Sequence, residues 1–190
     1  MIDLELDSYS KVTTILKDKI IVLDSSALIA GLDPFSIEGD ECTVPEVEKE
    51  LSPTSMAKTR FKAAVEYGKL KLITPEEKFI ESVKRVSSEL GDIKFLSHVD
   101  ILILALALKL KKEGLNPIIA TDDYSIQNVA DKLGIKYASL ATFGIKKLLY
   151  WVLYCPACKR NYPPNYNSMT CEVCGTELKR KALKENKRGK

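Results

Sequence analysis

Histidine is almost missing from this 190-residue chain: His98 is its one copy. Acid–base chemistry built on paired histidines is therefore excluded. No GxxxxGK[ST] segment is present, which removes the phosphate-cradling loop of an NTPase. Long apolar runs are missing as well. The longest, residues 101–108, is about half of a membrane span. The first residues carry no basic-then-apolar leader, so a soluble cytoplasmic protein without membrane partners is expected. No internal repeat and no long low-complexity linker interrupts the chain. Cysteines number only five, and in a reducing compartment such residues suit a metal better than disulfides.

Four of those cysteines form two pairs near the end: Cys155 and Cys158 in CPAC, Cys171 and Cys174 in CEVCG. Two intervening residues let one tight turn aim two sulfurs at one point, and four thiolates complete a tetrahedral zinc site. Such a sphere is closed to water, so the expected single zinc ion is structural. Twelve residues separate the pairs, enough for a small ribbon. Gly175 can take the positive φ that a metal-binding turn uses. Tyr162, Pro163 and Tyr166 are available for packing or for stacking on RNA bases. With so little chain to build a core, zinc is expected to supply much of the ribbon's folding energy. Cys42, unpaired and with no activating histidine, reads as a buried structural thiol.

Charge divides the chain at the same place. Residues 1–154 hold twenty Lys/Arg against twenty-three Asp/Glu, whereas residues 155–190 hold nine against three. An acidic body with a basic end implies that the end grips a polyanion while the body uses carboxylates. Lys159, Arg160, Lys179, Arg180 and Lys181 are the candidate phosphate contacts. The resulting division is 1–150 for the acidic domain, 151–181 for the zinc ribbon and 182–190 for a basic tail, with residues 1–18 an extension of unclear role. In that extension Ile2, Leu4 and Leu6 alternate like a strand, and Val12, Ile15 and Leu16 share a helical face.

Within the acidic domain, strands alternate with helices. Residues 19–23 read as a buried strand, with Ser25 and Ser26 able to cap the helix that follows. Pro45 opens a helix that the Ser52–Pro53 step breaks. A helix spans 55–67 and stops at Gly68, and 70–74 reads as a strand. Helices follow over 75–90 and 97–114, then a strand over 118–121, a helix over 123–133 and a strand over 136–138. The expected fold is α/β, a parallel sheet with helices on both faces, and sites in such folds lie outside the carboxyl ends of the strands. The aromatic-rich stretch within 139–154 is expected to pack while it joins the two parts.

The acids fall at that edge. Asp24 ends the first strand, and Asp122 and Asp123 follow PIIAT directly. Asp100 lies in the first turn of the most apolar helix. Glu50 lies on the helix after Pro45, with Glu46 one turn earlier on the same face. Each also has an ordinary structural reading. Asp24 and Asp123 can cap helices, Asp100 stands at capping-box spacing from Ser97, and Glu50 can be a solvated acid. Together they form a set that repels itself unless a cation is present. Mg²⁺ or Mn²⁺ prefers such oxygen ligands, and the chemistry they support is phosphodiester hydrolysis. His98 reads as a helix-start residue near this site, within reach of substrate.

Four segments, VLDSSALIAG (22–31), VPEVEKEL (44–51), LSHVDILILALAL (96–108) and IATDDYSIQNVA (119–130), resemble in order the motifs of PIN-domain nucleases. With the four-cysteine ribbon behind them, they resemble the Nob family, which matures the 3′ end of small-subunit ribosomal RNA. The resemblance covers about residues 19–178. It implies a PIN-like domain plus zinc ribbon and a metal-dependent single-strand endoribonuclease. Its partners would be precursor small-subunit rRNA and the assembling small subunit. It implies that Asp24, Glu50, Asp100 and Asp122 bind Mg²⁺ or Mn²⁺, with Asp123 a fifth member and Glu46 the competitor of Glu50. It implies a 3′ hydroxyl on the rRNA and a 5′ phosphate on the removed spacer. Two other functions fit parts of the pattern: a catalytically silent RNA-binding assembly factor, and a toxin-type PIN ribonuclease aimed at tRNA or mRNA.

Overall fold

A computed structural model describes residues 20–140, 150–164 and 166–182. The readings made for residues 1–18, for the middle of the 139–154 connection and for most of the basic tail lie outside the described residues. The larger part holds a five-stranded parallel sheet, β1 (Ile20–Leu23), β2 (Asp40–Thr43), β3 (Leu70–Leu72), β4 (Pro117–Ala120) and β5 (Lys136–Ala138), in the order β3-β2-β1-β4-β5. Its helices are α1 (Ser25–Ile29), α2 (Val47–Glu50), α3 (Met56–Glu66), α4 (Glu77–Leu90), α5 (His98–Lys112) and α6 (Tyr124–Lys132). The strand order reverses between β1 and β4, the point at which folds of this kind place a crevice outside the carboxyl ends.

Helix α5 explains the compactness of this part. Residues Ile101 through Leu108 are all buried, because α5 packs on β1 and β4 while α4 and α6 cover its other sides. A helix that is apolar all round must be buried on every side. No helix among the described residues is long and apolar enough to cross a membrane.

Two local readings change. The first helix starts at Ser25 with Asp24, not a serine, as its N-cap. Strand β2 was not expected at all, because its sequence DECT looks polar. Thr43 and Glu41 are nevertheless fully buried, and Ile21 stands in register with Glu41. Cys42 is buried as expected, with its thiol pushed up to about 12 by burial. Lys69 accounts for the buried acid: its Nζ stands 3.1 Å from Glu41 Oε1. The ammonium directs its well-aimed N–H groups at the carbonyls of Ile37 (2.8 Å) and Gly39 (3.0 Å), which leaves both Glu41 oxygens without a hydrogen bond of good geometry. Burial therefore outweighs the cation and raises the Glu41 carboxyl to about 7.

The second part is a three-stranded antiparallel sheet, β6 (Trp151–Tyr154), β7 (Asn161–Tyr162) and β8 (Lys179–Ala182), in the order β7-β6-β8. Its core is small: Leu153, Cys155, Tyr162, Cys171 and Leu178, with Tyr166 against it. Phe95, from the loop between α4 and α5, packs into this same cluster, while Tyr150 packs into the core of the larger part. The two parts are thus stitched together by exchanged aromatics.

Candidate active site and metal centre

Two aspartates at the crevice, Asp24 and Asp123, are helix N-caps, and a third, Asp100, closes a capping box on Ser97; these bonds aim all three. Asp24 is only 2% exposed. Its Oδ1 accepts from the Ser25 amide (2.7 Å), and its Oδ2 accepts from the hydroxyls of Ser26 (2.6 Å) and Thr121 (2.8 Å). Those hydroxyls reach on to the next acidic segment: Ser26 Oγ accepts from the Asp122 amide (3.0 Å) and Thr121 Oγ1 from the Asp123 amide (3.0 Å). The ends of β1 and β4 are therefore tied through two side-chain oxygens. Asp123 caps α6, with Oδ1 accepting from Ser125 (2.6 Å) and Ile126 (3.3 Å).

Asp100 forms the expected capping box. The Ser97 amide donates to its Oδ2 (2.7 Å), and its own amide donates to Ser97 Oγ (3.1 Å). Burial raises the Asp100 carboxyl to about 6, against the pull of the Ser97 backbone bond, and the nearby charges of Asp24 and Asp123 push the same way. Asp24 and Asp123 thus lie within electrostatic reach of Asp100.

The other acids stand differently. Asp122 Oδ1 is held by the Ser139 hydroxyl and by the Leu140 amide (2.9 Å), on the β5 side. Glu46 is the residue before α2, and its half-buried carboxylate makes no capping bond; its Oε2 is buried without a hydrogen-bond partner. Glu50, at the end of α2, is exposed. Helix α2 lies beside α1, so both glutamates belong to the crevice region, but no hydrogen bond joins either to the aspartates among the described residues. His98 is exposed at the start of α5.

The cysteines converge far more tightly. All four sulfurs lie within 4.8 Å of one another, with Cys155–Cys174 at 3.4 Å and Cys158–Cys171 at 3.6 Å. Four sulfurs about 2.3 Å from a common centre stand roughly 3.8 Å apart, so the set fits tetrahedral zinc. These distances are far longer than a disulfide. The two turns are copies of each other. The amide of Lys159 donates to the Cys155 carbonyl and that of Gly175 to the Cys171 carbonyl, with φ of 63° and 70°. Gly175 was expected in this conformation; Lys159 adopts it despite its side chain. Tyr162 is buried, and its hydroxyl donates to Cys171 Sγ (3.0 Å), the leading cause that lowers this thiol to about 6. Tyr166 stacks against Tyr162 with centroids 4.5 Å apart. These tyrosines pack the ribbon.

A family model described as the PIN domain of ribonuclease matches residues 21–110. Endoribonuclease Nob1 of Methanocaldococcus jannaschii is 42% identical over 166 residues, covering 87% of this chain and 79% of that protein. Endoribonuclease Nob1 of Pyrococcus abyssi is 36% identical over 84% of this chain and 91% of its own. The chain is a PIN-domain endoribonuclease of the Nob1 family. Ribonuclease VapC1 of Thermoplasma acidophilum is also similar, 32% identical over 85% of this chain and 77% of its own.

PIN nucleases use divalent metal ions, and the crevice of this Nob1-family chain fits that requirement. It offers carboxylate oxygens, among them those of Asp100, a carboxyl raised by burial first and by its acidic neighbours second, and the orphaned buried oxygen of Glu46. Among the described residues the acids do not close to the spacing of the cysteine set.

Sequence reasoning missed two features. Thr121 bridges Asp24 to Asp123; its signal was a hydroxyl at the strand end directly before two aspartates. Arg180 was expected to contact phosphate. Its guanidinium instead lies over the rings of Phe95 (4.0 Å) and Trp151 (4.4 Å) and pairs with Asp92 Oδ1 (3.1 Å). On a strand, alternate side chains face opposite sides, so Lys179 and Lys181 stay exposed while Arg180 turns inward. Lys159 and Arg160 are exposed too, with Arg160 3.4 Å from Glu172.

Proposed function

We propose that this endoribonuclease cleaves precursor small-subunit rRNA at its 3′ end, in the cytoplasm, with the assembling small subunit as its partner. The observation that carries the reading is the pairing of an acidic crevice at the β1/β4 switch with a basic four-cysteine ribbon packed against the same domain. Asp24, Asp100, Asp122 and Asp123, with Glu50 or its neighbour Glu46, are the proposed holders of Mg²⁺ or Mn²⁺. The cysteines hold one structural zinc. When bound, the divalent ion supplies Lewis-acid activation of water and neutralises charge on the phosphate. Asp24 is fixed by three hydrogen bonds from Ser25, Ser26 and Thr121, so it is oriented before substrate arrives. Asp100 and Asp123 are oriented by their caps. Lys159, Arg160, Lys179 and Lys181 give the RNA backbone a cationic surface. Water adds to phosphorus and the bond to the 3′ oxygen breaks. That oxygen leaves as a 3′ hydroxyl on the rRNA, and the phosphate stays on the 5′ end of the spacer.

Asp24→Asn and Asp100→Asn are expected to abolish cleavage of a precursor fragment in Mn²⁺ while RNA binding changes less than about twofold. End mapping against wild type reads the result, and both variants cutting at the same position would sink the assigned chemistry. The likeness to the VapC1 ribonuclease supports a second reading, a toxin-type enzyme. Preferential cutting of tRNA or mRNA over the precursor would favour it. Salt-dependent binding with no cut in any RNA would favour a silent assembly factor.

A further inference from the structure

Arg180 belongs to the ribbon and rests on its Trp151, yet its two other partners, Asp92 and Phe95, lead toward the acidic crevice. Its guanidinium pairs with Asp92, which is fully buried in the loop after α4. The second oxygen of Asp92 accepts from Asn128 Nδ2 (2.6 Å) on α6, the helix that Asp123 caps. Asp92 also fixes its own loop: its carbonyl accepts from the Phe95 amide (2.8 Å), and Phe95 is one of the two rings beneath the guanidinium. Two residues past Phe95 begins the Ser97–Asp100 capping box. One cation from β8 thus closes a chain that ends on both Asp100 and Asp123. A planar guanidinium stacked on rings and paired with a carboxylate is not replaceable by an ammonium.

We propose that Arg180 is a positioning residue of the nuclease. It locks the ribbon to the 91–97 loop and to α6, and so holds Asp100 and Asp123 in cutting geometry. The ribbon then serves the cut itself as well as the grip on RNA. The catalytic half of this inference rests on the nuclease reading above; the mechanical half does not.

The test uses the full, zinc-loaded chain and compares wild type with Arg180→Gln, Arg180→Lys, Asp92→Asn and the Arg180→Gln/Asp92→Asn double variant. Retention of one zinc per chain checks that the ribbon is folded, and Asp92→Asn leaves the ribbon's own sequence untouched. On a single-stranded precursor rRNA fragment in saturating Mn²⁺, kcat should fall by about 10- to 100-fold in each single variant, since small misplacements carry penalties of that size. KM and the salt dependence of binding should hold within about twofold, and the double variant should be no worse than the singles. Arg180→Lys should fail like Arg180→Gln. Independently of cutting, exchange of the amide hydrogens of Asp100, Ser125 and Ile126, which bond to the two caps, should accelerate by about tenfold or more. The amide of Ile73, bonded to the Thr43 carbonyl, should not change.

Full rescue by Arg180→Lys, or an unchanged kcat with weaker and less salt-dependent binding, overturns the proposal and makes Arg180 a phosphate contact. Unchanged exchange at the capping amides while wild type cuts overturns the coupling and leaves the nuclease reading intact. Faster exchange in a protein that cuts no RNA supports the coupling and defeats the nuclease reading instead.

Discussion

Alanine at Gly91 puts a methyl carbon 2.5 Å from the Trp151 carbonyl oxygen and 3.1 Å from Pro164 Cβ and Trp151 Cβ. Gly91 ends α4 with φ of 80°, so two effects mix in the substitution. A left-handed backbone disfavours alanine by about 1–2 kcal/mol, and at such a position stiffening of the unfolded chain does not make up the loss. Gly68 provides the control. It follows α3 with φ of 70°, and a Cβ there meets nothing within 4 Å. Gly68→Ala should therefore cost about 1–2 kcal/mol, the backbone penalty alone. Gly91→Ala carries the collision besides. Trp151 is paired to Ala182 within the ribbon sheet, so its carbonyl cannot retreat without moving the ribbon. An overpacked contact of this kind costs about 1–3 kcal/mol. The expected excess of Gly91→Ala over Gly68→Ala is about 2 kcal/mol in urea unfolding followed by far-ultraviolet circular dichroism. Trp151 is the one tryptophan of the chain, so its native emission should also shift to the red in Gly91→Ala alone. Equal costs for the two glycines, with unchanged emission, would refute the close approach of ribbon and α4.

Two further outcomes follow from buried and strained groups. The Glu41 carboxyl rises from 4.5 in the unfolded chain to about 7 in the folded one, so the folded state holds its proton more tightly. Its contribution to stability is fully present below about 4.5 and is lost as pH rises through about 7. Asp92 and Asp100 titrate in the same sense near 6, so the difference between wild type and Glu41→Gln isolates this one group. The difference should span on the order of 3 kcal/mol between pH 4.5 and pH 8, measured by urea unfolding; parallel curves would remove Glu41 from the account. At Lys159 the test is one of opposite signs. Lys159→Gly relieves φ of 63° in a turn where Gly175 occupies the matching place, so the melting temperature should hold or rise. Its affinity for single-stranded RNA should fall, and the salt slope should flatten by about 0.7, the value for one lost phosphate contact. Unchanged affinity and slope would assign Lys159 no part in binding.

What the sequence made legible was local. The strand ending at Asp24, the long apolar helix and the strand over 136–138 each announce themselves within a single run of residues. The capping box at Ser97 and Asp100 was readable from spacing and appears with both of its bonds. The cysteine turns were readable for the same reason, since each needs only five consecutive residues. Strand β2 was not, because its burial depends on Lys69 reaching across to Glu41 from the edge of β3. Nor was the clamp at Arg180. In the run Lys179–Arg180–Lys181 three cations look alike, and only a strand placed against another domain gives the middle one a different side. The partner that selects it, Asp92, is distant in sequence, and no local pattern records the pairing.

The structural reading of the aspartates, set by the sequence as a rival of the catalytic one, leaves room for the proposed catalytic role. Asp100 gives Oδ2 to its cap and Asp123 gives Oδ1, so each keeps a second oxygen while the cap fixes its direction. Asp24 uses both oxygens, and a carboxylate has about four lone-pair sites, so three hydrogen bonds do not exhaust it. This decides which substitutions can test the chemistry. Asparagine is as good an N-cap as aspartate; at Asp123 it keeps the acceptor oxygen that the Ser125 amide needs and removes the charge, whereas at Asp24 its amide nitrogen also replaces Oδ2, the acceptor for the Ser26 and Thr121 hydroxyls. Alanine removes the cap of α1 or α6, at about 1 kcal/mol of stability, or half of the capping box of α5. An inactive alanine variant therefore leaves the loss of charge and the loss of geometry confounded, whereas an inactive asparagine variant at Asp100 or Asp123 assigns the defect to the carboxylate charge.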